Sequence, residues 1–132
     1  MPISFHPRAG QILMCDFRGF QVPEMVKVRP VMIISPRLPY RGDIAAIVPL
    51  SLTAPLHNLP FNVRLSRNYN PLEADDLPVW AKCDMLMNLS IRRLEGFKVG
   101  RRKWETPQAT GEDLKAVRAG ILAALGFAAG GE

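Results

Sequence analysis

The chain has 132 residues, nearly half of them hydrophobic, and carries a net charge of +5 with an isoelectric point near 9.7. That length suits one domain with a real core and is too short to expect two, and no stretch approaches the roughly 20 apolar residues of a membrane span. The opening residues, MPISFHPRAG, show neither an apolar export core nor a clean cleavage site, so the chain is expected in the cytoplasm and away from membranes.

After an N-terminal arm over 1–9, GQILMCDFRGF (10–20) reads as an apolar strand that ends near Gly19. A polar, proline-marked loop leads to VRPVMIISP (28–36), an almost wholly apolar run stopped by Ser35-Pro36, which reads as a buried strand. Glu24, Lys27 and Arg29 crowd the mouth of that strand, where buried strands seldom need charge unless an edge is being protected. The Arg41-Gly42-Asp43 turn signal introduces DIAAIVPLSLT (43–53), and Pro60 introduces FNVRLS (61–66), in which Val63 and Leu65 alternate with Arg64 and Ser66. An acidic loop, NPLEADDLP (70–78), then leads to VWAKCDML (79–86), and five strands at this spacing predict a small barrel.

Residues 89–99, LSIRRLEGFKV, read as a short helical turn and a brief strand divided at Gly96. The last element is a helix: Thr110 caps it, Glu112 and Asp113 suit the positive end of its dipole, and Gly126 closes it. Its apolar stripe is Leu114, Val117, Ile121, Leu122 and Leu125. The tail FAAGGE (127–132) is expected to fray.

Cys15 and Cys83 sit in apolar segments without CxxC spacing, and the only histidines are His6 and His57. That is poor zinc arithmetic, so no metal or other cofactor is expected and the cysteines read as small buried thiols. The positive charge is lumpy: Arg37 and Arg41, Arg92 and Arg93, then Lys98, Arg101, Arg102 and Lys103 before Trp104. A basic surface attracts phosphates and equally keeps a protein soluble, so charge permits nucleic acid without proving it.

In this order, GQILMCDF, the loop with Glu24, RPVMIISP, IVPLS, NVRLS and KCD resemble the PemK/MazF toxins of bacterial toxin-antitoxin systems, from about Gly10 to the C-terminal helix. The resemblance implies one PemK/MazF-like domain over 1–132, its core at about 10–126. It implies a mostly β fold, an SH3-like, partly open barrel with a C-terminal helix, in a homodimer. It further implies a metal-independent, sequence-selective endoribonuclease acting on single-stranded RNA, and a cognate antitoxin whose disordered tail folds over the RNA groove.

Carried over by residue, Arg29 matches the family's RP arginine, whose planar fork can hold two phosphate oxygens. Ser51 falls on the hydroxyl position that would hold the phosphate for in-line attack, and Thr53 is its alternate two residues on. Lys82 and Asp84 stand where PemK-type members carry the arginine and aspartate of RCD, implicated as acid and base; here the cation keeps its charge and loses its fork. Glu24 would orient Arg29 or serve as base, Lys27 would steer RNA, and Arg37, Arg41 and Phe20 would add phosphate and stacking contacts. Tyr40 and Phe61 are further stacking candidates, and the loops 18–28 and 53–60 would read the bases.

Plainer roles stand beside these: Arg29 paired with Glu24, Ser51 as a strand-end turn residue, and Lys82 with Asp84 as a cross-strand ion pair. Pro23 occupies the place where PemK-type members can carry a histidine, so no histidine role carries over. Two other functions stay open. One is a gyrase-directed toxin like CcdB, against which the ending ALGFAAGGE counts, since it lacks the Trp-Gly-Ile element of those proteins. The other is a catalytically impaired RNA-binding barrel, for which Pro23 and Lys82 would be the reason.

Overall fold

The longest apolar runs pair side by side because neither face of them can be left in water. In the computed structural model, which describes residues 3–127, β1 (Ile12–Asp16), β2 (Val28–Ile33) and β3 (Ile44–Ser51) form an antiparallel centre. Ile12 lies opposite Met32, and Val31 opposite Pro49. β4 (Asn62–Arg64) and β5 (Trp80–Lys82) extend the sheet from the end of β3, β6 (Met87–Ser90) pairs its beginning, and β7 (Leu94–Glu95) pairs β1. The resulting order, β4-β5-β3-β2-β1-β7, leaves the barrel open, as expected.

Alternate residues of the central strands serve two cores. Ile12, Met32, Val48 and Leu50 face one side with Phe97, Val117 and Ile121, whereas Leu13, Cys15, Val31, Ile33 and Ile47 face the other with Phe17, Leu89 and Leu94. Burial on both faces is why β2 reads as an unbroken apolar run instead of an alternating one. With about 1.5–3 kcal/mol from each fully buried aliphatic side chain, this centre is a stiff platform for whatever its ends carry.

The helix α1 (Gly111–Ala124) begins where the Asp113 amide donates to Thr110 Oγ1 at 3.1 Å, and Gly126 follows it at φ +92°. Val117 and Ile121 are buried and Leu114 packs at the core edge. Leu122 and Leu125 are not: they are 50% and 62% exposed, while the helix packs mainly on β4 and a 3-10 turn at Cys83–Met85. Gly120 permits that close seat, since a Cβ there would stand 2.7 Å from Val63 Cγ2 and 2.8 Å from Cys83 Sγ.

Several local expectations change. The segment 79–86 is strand only over Trp80–Lys82, after which the chain turns into Cys83–Met85. Residues 89–99 do hold a 3-10 turn, Ile91–Arg93, and a strand after Gly96, β8 (Phe97–Gly100), but β7 before that glycine and the pairing of β8 with β9 (Lys103–Glu105) in a hairpin were not foreseen. That hairpin carries the basic run, with Lys98 Nζ 5.7 Å from the Trp104 ring centroid. The arm is docked at Ile3, whose amide donates to the Leu94 carbonyl. Both cysteines are free and buried, and burial pushes each thiol up to about 12. The expected fraying falls mostly on 128–132, outside the described residues.

Candidate functional site

β2 begins where β3 ends, so the mouth of one meets the exit of the other. Their register sets Arg29 beside Ser51, two positions beyond the Val31–Pro49 pair, and a groove of about 340 Å³ opens there. Arg29, Ser51 and Thr53 line it together with apolar residues that include Ile12, Met14, Val28 and Leu50. Arg29 is exposed, and its guanidinium makes no hydrogen bond or ion pair among the described residues. Five uncommitted donors next to a hydroxyl suit an anionic oxygen. Ser51 Oγ accepts from the Thr53 amide at 3.1 Å, which fixes the oxygen and leaves its proton to be donated outward.

The facing wall, Asn68, Tyr69, Asn70 and Glu73 from the β4–β5 loop, was missed by sequence reasoning. Asn68, only 3% exposed, holds the loop in shape: its side-chain amide donates to Glu73 Oε1 at 3.1 Å and to the Ala74 carbonyl at 3.2 Å, and its Oδ1 accepts the Asn70 amide. The loop is tied in turn to the helix. Asp113, 6% exposed, accepts the Tyr69 hydroxyl at 2.6 Å, the Ser66 hydroxyl at 2.7 Å and the Ser66 amide at 3.1 Å. Those donors offset the cost of burying a carboxylate, so Asp113 is an anchor and more than a dipole partner. The spacing Asn68, Asn70 is an Asx-turn signal visible in the sequence; nothing local marks Asp113 as its anchor.

Glu24 is exposed and accepts the Gln21 amide at 3.0 Å in its own turn, with no ion pair to Arg29 among the described residues. Neither Glu24 nor Lys27 lines the groove, whereas Met25 of the same loop and Val28 at the start of β2 do. Lys82 ends β5 opposite Asn62, and Asp84 lies exposed on the 3-10 turn, so the two do not share a strand face and both stand outside the groove lining. Arg37 and Arg41 lie in the loop at the far end of the β2–β3 hairpin, roughly 17 Å away by strand rise. Phe20 is half-buried, 6.1 Å from Phe17 and 4.5 Å beneath the Arg93 guanidinium, and is not an open stacking platform. Tyr40 is fully exposed in the Arg37 loop, and Phe61 packs against the helix-side core.

A second depression adjoins the groove, sharing Met14 and Val28 and adding Asp16, Arg18, Arg92 and Arg93. Arg18 donates to Asp16 at 2.7 Å and 2.9 Å and holds that carboxyl down at about 2. Arg93 donates to the Asp16 and Arg18 carbonyls, which fixes the lip of the depression.

An open antiparallel sheet backed by one C-terminal helix is the architecture of MazF from Deinococcus radiodurans, with a TM-score of 0.69 at 21% identity over 94% of this chain and 100% of that one. It is shared by an endoribonuclease in complex with its cognate antitoxin from a mycobacterial species, with a TM-score of 0.62 at 19% identity over 92% of this chain and 97% of that one. At such identities the likeness is one of fold. The chain belongs to the PemK-like, MazF-like toxins of type II toxin-antitoxin systems, whose family model matches residues 8–125. It is also 31% identical to the uncharacterized protein YifN of Escherichia coli strain K12, over 76% of this chain and 80% of that protein.

Proposed function

We propose that this protein is the toxin of a type II toxin-antitoxin pair and acts as a sequence-selective endoribonuclease on single-stranded RNA, cutting by attack of the substrate's own 2′-hydroxyl. The observation that carries this reading is the uncommitted Arg29 guanidinium beside Ser51 in one groove. In-line attack of the 2′-oxygen on the adjacent phosphorus builds a phosphorane with added negative charge. Arg29 meets that charge with two parallel donors, and the Ser51 hydroxyl holds the phosphate in line. One such prepositioned donor is worth about 10²–10³ in rate. The nucleophile belongs to the substrate, so the scheme needs no metal-bound water. The apolar side of the groove suits the face of a base.

The same reading extends to partners. The mycobacterial endoribonuclease is known with its antitoxin bound, and the Deinococcus toxin in a MazE-MazF assembly. By analogy, an antitoxin segment that is disordered alone folds over this groove and excludes RNA. The toxin acts in the cytoplasm as a homodimer.

The test is cleavage of a long single-stranded RNA in EDTA, with product ends mapped. The expected result is cutting at a recurring short motif that leaves cyclic-phosphate ends, and at least about 100-fold loss in Arg29→Ala that remains folded. RNA left intact by folded wild type rejects catalysis and turns attention to RNA binding and gyrase.

A further inference from the structure

Cleavage by a 2′-hydroxyl requires a base to take its proton, and the carboxylates that the sequence offers for this, Glu24 and Asp84, lie outside the groove lining. One carboxylate does line it. Among the described residues of the groove wall, Glu73 is the single acid and Arg29 the single cation. We propose that Glu73 is the general base of the reaction, an inference that rests on the ribonuclease reading above.

Position, fixation and free acceptor capacity all support the assignment. Glu73 faces a groove it shares with Arg29, Ser51 and Thr53, so a phosphate held by the arginine brings its neighbouring ribose toward the loop wall. Glu73 is half-buried, and its Oε1 is held by the amide of buried Asn68 at 3.1 Å. Its Oε2 accepts no hydrogen bond among the described residues and keeps its lone pairs for an incoming hydroxyl. The loop does not hang free, because Asn68 also binds the Ala74 carbonyl and the Tyr69 hydroxyl is anchored on Asp113. A general base must be held within hydrogen-bond reach of the proton it removes, and this wall is built to hold one. A carboxylate beside a phosphodiester opposes simple RNA binding through like-charge repulsion; its placement there makes sense for proton removal.

In the step itself, the O2′ proton passes to Glu73 Oε2 as the O2′–P bond forms. The P–O5′ bond then breaks, the leaving 5′-oxygen takes a proton from water, and the products are a 2′,3′-cyclic phosphate and a 5′-hydroxyl. Glu73 returns its proton to solvent. Arg29 and Ser51 stay unchanged throughout.

The experiment compares wild type, Glu73→Gln and Glu73→Ala on a short RNA containing the cut motif, measuring kcat and KM. The glutamine keeps the length of the side chain and its contact with Asn68 but cannot take the proton. Expected are a fall in kcat of about 100-fold and a KM within about threefold. Added formate restores part of the rate to Glu73→Ala, which a lost structural contact would not allow. The inference is overturned if Glu73→Gln keeps the wild-type kcat, or if its only change is in the motif cut, which would make Glu73 a base reader. An enzyme that cuts RNA and needs Arg29 but not Glu73 loses this inference alone; wild type that leaves RNA intact loses both.

Discussion

At one end of the β2–β3 hairpin, Arg29 stands beside Ser51 against an apolar groove wall; at the other, Arg37 and Arg41 stand in an open loop with Tyr40 fully exposed between them. The residue types are similar and the settings are not. A guanidinium in open water is screened within about 10 Å at moderate salt, and its contacts are individually weak. Beside an apolar groove wall, the same group shares a concave site with a hydroxyl that can hold the same phosphate. Positive charge alone therefore does not find the site, and the register of two strands does.

That contrast can be broken or sharpened by substitution. The largest effect is expected at the anchor of the groove wall: Asp113→Ala leaves the Tyr69 and Ser66 donors unmatched and lowers stability by about 2–4 kcal/mol, read from urea unfolding. A variant as stable as wild type would mean that the wall stands without the helix. Next comes Arg29→Lys, which keeps the charge and loses the fork; kcat is expected to fall about tenfold in the cleavage assay. Removing both Arg37 and Arg41 by alanine substitution should cost less than about threefold in kcat/KM, and that loss should vanish at high salt. A larger, salt-resistant loss would move the RNA path to the far end of the hairpin.

The smallest effect concerns the thiols behind the groove. Cys15 pairs with Arg29 across β1 and β2, and burial raises Cys15 and Cys83 from 9.0 to about 12. The native state keeps both protons through a range in which the unfolded chain releases them, so stability falls as pH climbs from about 9 toward 12. Alkylation at pH 8 should be slow in the folded protein and fast in urea. Rapid native alkylation of Cys15 would show that the strand beneath Arg29 opens.

Much of this was legible in the chain, for identifiable reasons. The central strands announce themselves because burial on both faces leaves apolar runs such as Val31–Ile34, and Arg29 and Ser51 were singled out by the resemblance of their motifs to the family's. The helix start was legible because Thr110 caps it by a purely local bond. What failed was non-local. Asp113 meets Tyr69 across 44 residues, and that contact helps to fix the loop after β4 as a groove wall. KCD looked like strand because its residues suit one, yet Cys83 turns in to meet the helix and carries Asp84 off the sheet. Leu122 and Leu125 keep helical spacing, yet both stand half or more exposed beyond the buried part of the stripe.

The most direct test of the central claim is a heteronuclear NMR titration of the folded protein with a short 2′-O-methyl RNA that contains the cut motif and cannot be cleaved. Shift changes are expected at Arg29, Ser51, Thr53 and residues 68–73, with residues 37–43 unmoved. Changes confined to the 37–43 loop or to the basic hairpin at 98–104, with the Arg29 end silent, would contradict that claim.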